Sequence, residues 1–380
     1  VSRFLIVVPP FVGHVNPVAG VAAELTGRGH DVAWAGDQEL LDRLLPAGST
    51  VFSVACPIPE RPADVRGFAA WKFLWESMLV PLAHTMLPGV RDAVEQWRPD
   101  ALLVDQQALA GALVAGSVGL PWATSATTSS EITDPLAAMP AIGGWVRGLL
   151  ADLRLRFGDP LDGHDLRFSP HLVLAFTTIV LAGDPAVAVP VRFVGPSRRP
   201  ARPIGFPWEW LDDRPLVLVT LGTANDDAGA KFLADSLTAL RDRPGLQAVV
   251  VDPAGALADV PANVLCRTEV PQPELLDRAA LVVCHAGHNT VCEALDRAVP
   301  LVVAPIRDDQ PVIADQVVRA GAGVRLRFAH AGAERIGKAI DDVLAEPGYR
   351  DAAKRVQESF AAAGGAAEAA TELEFLARST

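Results

Sequence analysis

Two histidines stand where an imidazole could do chemistry. His14 lies in Pro9-Pro10-Phe11-Val12-Gly13-His14-Val15-Asn16-Pro17, directly after the apolar run Phe4–Val8. Asn16 reads as an N-cap and Pro17 as a first helical residue, so a helix is expected from Pro17 with His14 just ahead of it. At the carboxyl end of a strand, such a ring is placed to take a proton from a bound hydroxyl. The structural alternative is a histidine satisfied in the core or on the surface. Asp105 follows Ala101-Leu102-Leu103-Val104 and projects at another strand end. It could accept a bond from one ring nitrogen of His14 and fix the tautomer that leaves the other nitrogen as base. It could equally cap a helix starting near Gln107.

The second histidine, His285, opens a denser stretch: Cys284-His285-Ala286-Gly287-His288-Asn289-Thr290-Val291-Cys292-Glu293. It runs from a strand end into a helix, which aims backbone N–H groups and a positive helix end at any anion bound there. Thr290-x-x-Glu293 fits a capping box and Gly287 an ordinary turn, leaving His285 and Asn289 without a structural account. A further strand-end loop, Pro305-Ile306-Arg307-Asp308-Asp309-Gln310-Pro311, offers two carboxylates and an amide. Adjacent aspartates raise a metal reading, but no Asp-x-Asp and no third ligand lie close by, so sugar-like hydroxyls suit the loop better and no metal site is expected. Thr220-Leu221-Gly222-Thr223 reads by itself as a turn.

These loops need rigid elements behind them. Short β-branched runs alternate with helical patterns through the first half of the chain: Phe4–Val8 then Pro17–Arg28, Asp31–Ala35 then Gln38–Leu45, Ala101–Val104 then Gln107–Gly116, then Pro121–Thr124. The rhythm restarts at Leu216–Leu221 and continues to Gly323–Leu326. Such alternation predicts parallel sheets covered on both faces, with ligands at the carboxyl ends of the strands. Between about Pro57 and His84, and between Thr127 and Pro170, Pro, Gly and Trp break the period, and both stretches read as irregular insertions. From Gly195 to Trp210 proline recurs too often for helix or central strand. The expected fold is therefore α/β, with two Rossmann-like, doubly wound domains. Residues 1–195 form the first, 196–214 a linker and 215–362 the second. The last helix, 363–380, crosses back to the first domain.

Length and composition bound the function. Three hundred and eighty residues, half of them apolar, can bury two cores. Thirty-three basic against 45 acidic residues give a net charge of −12, which disfavours nucleic acid as a partner. The four cysteines, Cys56, Cys266, Cys284 and Cys292, show neither CxxC nor Cys/His ligand spacing, so a reducing, cytoplasmic setting is expected. Phe4–Val8 is too short for a signal peptide, and the uncharged stretch Gln106–Ser130 reads as buried helix, turn and strand. No membrane span is expected.

Gly13-His14-x-x-Pro17, Val270-Pro271-Gln272, His285-Ala-Gly-x-Asn289-Thr290 with Glu293, and Asp309-Gln310, in that order, carry a resemblance over nearly the whole chain. The sequence resembles the family 1, UDP-glycosyltransferase-like enzymes of the glycosyltransferase B fold, whose two Rossmann-like domains face each other across a cleft. It is most similar to the bacterial branch that glycosylates antibiotics and other natural products.

The resemblance implies an inverting, metal-independent transfer of a sugar from a UDP- or dTDP-sugar, a co-substrate rather than a cofactor, to a hydroxyl of an apolar, polyketide or aromatic molecule. His14 matches the general base and Asp105 its orienting carboxylate. His285, Asn289 and Thr290 match the diphosphate-binding positions, with Gly287 allowing close backbone approach, and Thr223 reaches the phosphates in relatives. Glu293 matches the ribose-binding residue, and Asp309 and Gln310 the pair that contacts sugar hydroxyls. Plant relatives carry a base-stacking tryptophan where Glu269 stands here, so the base falls to the Val270 backbone and the UDP-versus-dTDP choice stays open. Trp71, Trp75, Met78, Met139 and Trp145 in the irregular stretches suit an apolar acceptor cleft, with core packing as the alternative. A nucleotide-sugar 2-epimerase or hydrolase on the same fold, or a catalytically silent partner protein, are the competing functions. A homodimer is compatible with the sequence.

Overall fold

The computed structural model describes all residues except 63–64, 66–67, 134, 138, 159–162, 199–203, 223–225 and 379–380, and only the backbone of 226–228. By internal contacts the chain forms two units, residues 1–179, 184–200 and 363–380 in one, and 180–183 and 201–362 in the other.

In the first unit, seven parallel strands are ordered β3-β2-β1-β4-β5-β6-β7 among the described residues. They are β1 Arg3–Val7, β2 Asp31–Gly36, β3 Thr50–Ser53, β4 Ala101–Asp105, β5 Trp122–Ala126, β6 Val173–Ala175 and β7 Val191–Phe193. The helices are α1 Val12–Gly27, α2 Gln38–Leu44, α3 Phe68–Lys72, α4 Val80–Trp97, α5 Leu109–Val118 and α6 Pro140–Phe157, with a π-helical turn over Phe73–Leu79; the four-residue α7, Ile179–Ala182, falls almost wholly in the second unit. The near-continuous apolar runs of β1 and β4 are buried on both faces, as a covered parallel sheet requires. Leu5, Val7, Leu102 and Val104 pack with α4 and α5, while Phe4, Ile6, Ala101 and Leu103 pack with α1 and with the chain's last helix.

The second unit repeats the plan with six parallel strands, β10-β9-β8-β11-β12-β13. In chain order its elements are β8 Leu216–Thr220, α8 Asp226–Arg241, β9 Gln247–Val251, β10 Val264–Arg267, α9 Gln272–Leu276, β11 Ala279–Cys284, α10 His288–Leu295, β12 Leu301–Val303, α11 Gln310–Arg319, β13 Gly323–Arg325, α12 Ala333–Ala345 and α13 Pro347–Ala363. The final helix, α14 Gly365–Arg378, packs on α1 in the first unit. There Ala369, Ala370 and Leu373 are buried, Arg28 Nη1 donates to Thr371 Oγ1 at 2.9 Å, and His30 Nε2 lies 3.0 Å from Glu374 Oε1.

Four expectations need correction. Helix α1 starts at Val12, not Pro17, because the N–H groups of His14 and Val15 already bond the Phe11 carbonyl at 3.0 and 3.2 Å. Asn16 is thus no cap and Pro17 lies inside the helix. The stretch 57–84 is helical from Phe68, and Pro140–Phe157 forms an 18-residue helix despite Gly143, Gly144 and Gly148. Part of the expected linker is packed, since Phe206, Trp208 and Leu211 lie against the second unit's core and Arg278 sits 5.0 Å over the Trp208 ring. Finally, α10 begins at His288 with Gly287 as its cap, so Thr290 and Glu293 form no capping box. Among the described residues no helix is long and apolar enough to cross a membrane. The four cysteines are unbridged.

Candidate active site

The first site grows from the carboxyl ends of three adjacent strands. β4 runs between β1 and β5, with Val104 opposite Val7 and Asp105 opposite Ser125. Beyond β1 the chain turns into α1, which puts His14 in that helix's first turn rather than ahead of it. From there its Nδ1 lies 2.9 Å from Asp105 Oδ1, with the ring 17 % exposed and the carboxylate fully covered. Residues 91 positions apart in sequence therefore meet. Asp105 Oδ1 also accepts the Gln107 N–H at 2.9 Å, so the capping alternative is partly real without displacing the histidine contact. The Phe11 ring packs beside the imidazole, centroids 5.6 Å apart.

A third residue joins the pair that sequence reasoning missed. Thr127, just past β5, donates from Oγ1 to Asp105 Oδ2 at 2.7 Å, and the same oxygen lies 2.9 Å from His14 Nδ1. It sits in the run Thr127-Thr128-Ser129-Ser130, which reads as a polar loop although every member is buried. Its signal was positional: it follows a strand next to the one that ends in Asp105. The neighbouring Glu131 is anchored by Arg167 at 3.1 Å, which also grips Asp165 at 2.7 Å. Burial pushes the Glu131 carboxyl up, against the pull of Arg167.

The second site lies at the carboxyl ends of β8, β11 and β12. Cys284 pairs with Thr220 and with Val303, so the loops after those strands are neighbours. His285 is 8 % exposed and lies among glycines: a Cβ on Gly222 would sit 2.7 Å from its Cε1, and one on Gly287 would meet the same atom at 2.7 Å. Gly222 has φ +71°, a left-handed conformation suited to glycine. Burial pushes the His285 imidazole down to about 4, against a hydrogen bond to the Thr220 backbone, so the ring is neutral at pH 7. Its Nδ1 is buried without a hydrogen-bond partner. Ala286 also takes a left-handed φ of 65°, which costs a non-glycine residue about 1–2 kcal/mol. This backbone leads directly into α10, whose first turn carries Asn289 and Thr290.

Glu293 bonds Gln272 Nε2 at 2.6 Å, tying α10 to the loop after Val270. The Val270 carbonyl accepts the Gln272 N–H at 2.9 Å. In the third loop, Gln310 Oε1 accepts the N–H groups of Ile306 and Arg307 at 2.8 and 3.0 Å, so its oxygen holds the loop. Asp309 precedes α11 without a side-chain capping bond. Thr223 lies outside the described residues.

Of the acceptor candidates, Trp75 and Met78 are core residues, 1 % and 8 % exposed, because the π-helical turn directs them inward. Met139 is 40 % exposed, while Trp71 and Trp145 are partly buried, with Trp145 Nε1 donating to Glu76 Oε1 at 3.3 Å. Among the described residues no group of three His, Cys, Asp or Glu side chains could hold a metal ion.

Two doubly wound units, one with a covered His–Asp pair and the other with glycine-lined strand-end loops, match the architecture expected from the resemblance to the glycosyltransferase B fold. Comparison with known proteins agrees. Residues 247–376 match the erythromycin biosynthesis protein CIII-like C-terminal domain. The chain is 30% identical to demethyllactenocin mycarosyltransferase of Streptomyces fradiae, across 97% of its own length and 85% of that enzyme's. It is 28% identical to 4'-demethylrebeccamycin synthase of Lentzea aerocolonigenes, across 99% of both. Among solved structures, the spinosyn rhamnosyltransferase SpnG complexed with thymidine diphosphate superposes with a TM-score of 0.78 at 25% identity, over 98% of this chain and all of that one. The chain belongs to the bacterial natural-product glycosyltransferases of family 1.

Proposed function

We propose that the protein is an inverting, metal-independent glycosyltransferase that moves a sugar from a UDP- or dTDP-sugar to a hydroxyl of an apolar natural product. The observation that carries this reading is the 2.9 Å contact between His14 Nδ1 and Asp105 Oδ1 at a strand-end site. With Nδ1 turned to the carboxylate, Nε2 is the nitrogen that takes the acceptor's proton as its oxygen attacks the anomeric carbon. Asp105 orients the ring and stabilises the imidazolium that forms. A positioned base of this kind is worth about 10²–10⁴ in rate.

The leaving diphosphate falls to the N–H groups opening α10, with Asn289 and Thr290 beside them and neutral His285 and Gly287 shaping the loop. Oriented N–H dipoles meet developing negative charge without reorganising. Glu293 and Val270 take the nucleoside side, and Asp309 and the Gln310 amide nitrogen the sugar hydroxyls. Trp71, Met139 and Trp145 are retained as acceptor contacts. A thymidine diphosphate complex of SpnG supports a nucleotide-diphosphate donor.

The test is turnover of dTDP-glucose and UDP-glucose with and without 2-naphthol as a phenolic acceptor. Nucleotide diphosphate released together with a naphthyl glucoside, and lost in His14→Ala, is the expected outcome. Equal release without acceptor would indicate a hydrolase or epimerase, and full activity in His14→Ala would remove the general-base step.

A further inference from the structure

Counting protons around His14 leads past the His–Asp pair. The carboxylate of Asp105 can only accept, and its Oδ1 is 2.9 Å from both the Gln107 N–H and His14 Nδ1. Its Oδ2 takes the Thr127 hydroxyl at 2.7 Å. A threonine hydroxyl has one proton to give. With that proton on Oδ2, the Thr127 oxygen 2.9 Å from His14 Nδ1 can only accept. Nδ1 therefore faces two acceptors, and only the tautomer with hydrogen on Nδ1 satisfies all three groups. Were Nδ1 bare, its lone pair would point at a carboxylate oxygen 2.9 Å away.

We infer that Thr127 is a positioning residue for the transfer reaction: its hydroxyl, locked onto Asp105, fixes His14 as the Nδ1–H tautomer and so keeps the lone pair on Nε2. Thr127 is 3 % exposed and Asp105 1 %, so no bulk water replaces the hydroxyl when it is removed. The segment that carries it is held from behind by the Glu131–Arg167–Asp165 ion cluster, and Thr133 Oγ1 donates to the Ser130 carbonyl at 3.0 Å. A hydroxyl so braced acts on the imidazole at a set distance, as a supporting shell must to hold catalytic geometry.

The inference rests on His14 as the base, yet its first readout needs no substrate. Nitrogen-15 spectra of histidine-labelled protein at pH 8, with the His14 signals identified by their loss in His14→Ala, report the tautomer directly. A single Nδ1–H form is expected in the unmodified protein and in Thr127→Ser. In Thr127→Val, where Asp105 Oδ2 loses its donor and the carboxylate is no longer held in the orientation that faces Nδ1, an Nε2–H population should appear. Turnover of dTDP-glucose or UDP-glucose with 2-naphthol should fall about tenfold in kcat in Thr127→Val, equal to about 1.4 kcal/mol, with nucleotide diphosphate affinity unchanged and activity recovered in Thr127→Ser. An Nε2–H form in the unmodified protein, or an unaltered tautomer in Thr127→Val, overturns the assignment even if that variant is inactive. Should Thr127→Val fail to fold, Thr127→Ala, which removes the hydroxyl without adding bulk, is read in the same way and carries the same expected and overturning outcomes. If His14→Ala keeps its activity while the tautomer behaves as described, the general-base reading fails and the positional role of Thr127 stands.

Discussion

His285 makes the second unit sensitive to acid, by an amount the structure sets. Its imidazole is held down from 6.5 to about 4 because the ring is buried. An unfolded chain takes up a proton on this residue as pH falls through 6.5, whereas the folded unit does not until about pH 4. Stability is therefore full above pH 6.5 and is lost between there and pH 4. The loss is on the order of 1 kcal/mol by pH 5.5 and about 3 kcal/mol in all. Other groups titrate over the same range, so the informative quantity is the difference between the protein and His285→Gln, which keeps much of the ring's volume but no proton site. Two units make a single global unfolding energy ill-defined, so the assay is hydrogen exchange of the buried amides in β8 and β11 at pH 7.0, 5.5 and 4.5. The variant should lose less opening energy than the original on acidification, by about 2–3 kcal/mol at pH 4.5. Parallel losses would show that the ring is protonated in the fold and refute the argument from burial.

Two further outcomes follow from the same loops. Gly287→Ala places a methyl against the His285 ring, so nucleotide diphosphate affinity measured by calorimetry should fall about tenfold or more, equal to about 1.4 kcal/mol, with the His14–Asp105 pair undisturbed. Activity should survive chelation by EDTA, since oriented N–H groups rather than a carboxylate-held cation are assigned to the diphosphate. Loss of turnover with EDTA, restored by magnesium or manganese, would return Asp308 and Asp309 to consideration as metal ligands.

The legible parts of the chain were those where one local pattern sufficed. β1, β4 and β11 are uninterrupted apolar runs, and their ends could be read to within a residue or two. That legibility reached the site, because His14, Asp105 and His285 each follow such a run. β3, β6 and β7 escaped notice because they are four, three and three residues long, and β3 and β7 are only half-buried. α6 was hidden by glycines that tertiary packing tolerates, with Val146, Leu150 and Leu153 buried on one face. Thr127 was invisible for a different reason: a hydroxyl that serves a residue 22 positions away leaves no local spacing to read. Trp75 and Met78 were misplaced because aromatic and sulfur side chains suit a core as well as a cleft, and only the backbone turn decides which way they face.

Helix α14 belongs to the first unit although residues 201–362 lie between it and the rest of that unit. During synthesis, the sheet face of Ala101, Leu103 and Ala123 is thus laid down long before Ala369, Ala370 and Leu373 exist to finish covering it. At ordinary elongation rates the wait is roughly 10–50 s, far longer than a compact α/β unit takes to form. The second unit can complete its own sheet in that interval, so the half made first is the half finished last. Damage to the tail of the chain is therefore an injury to its beginning.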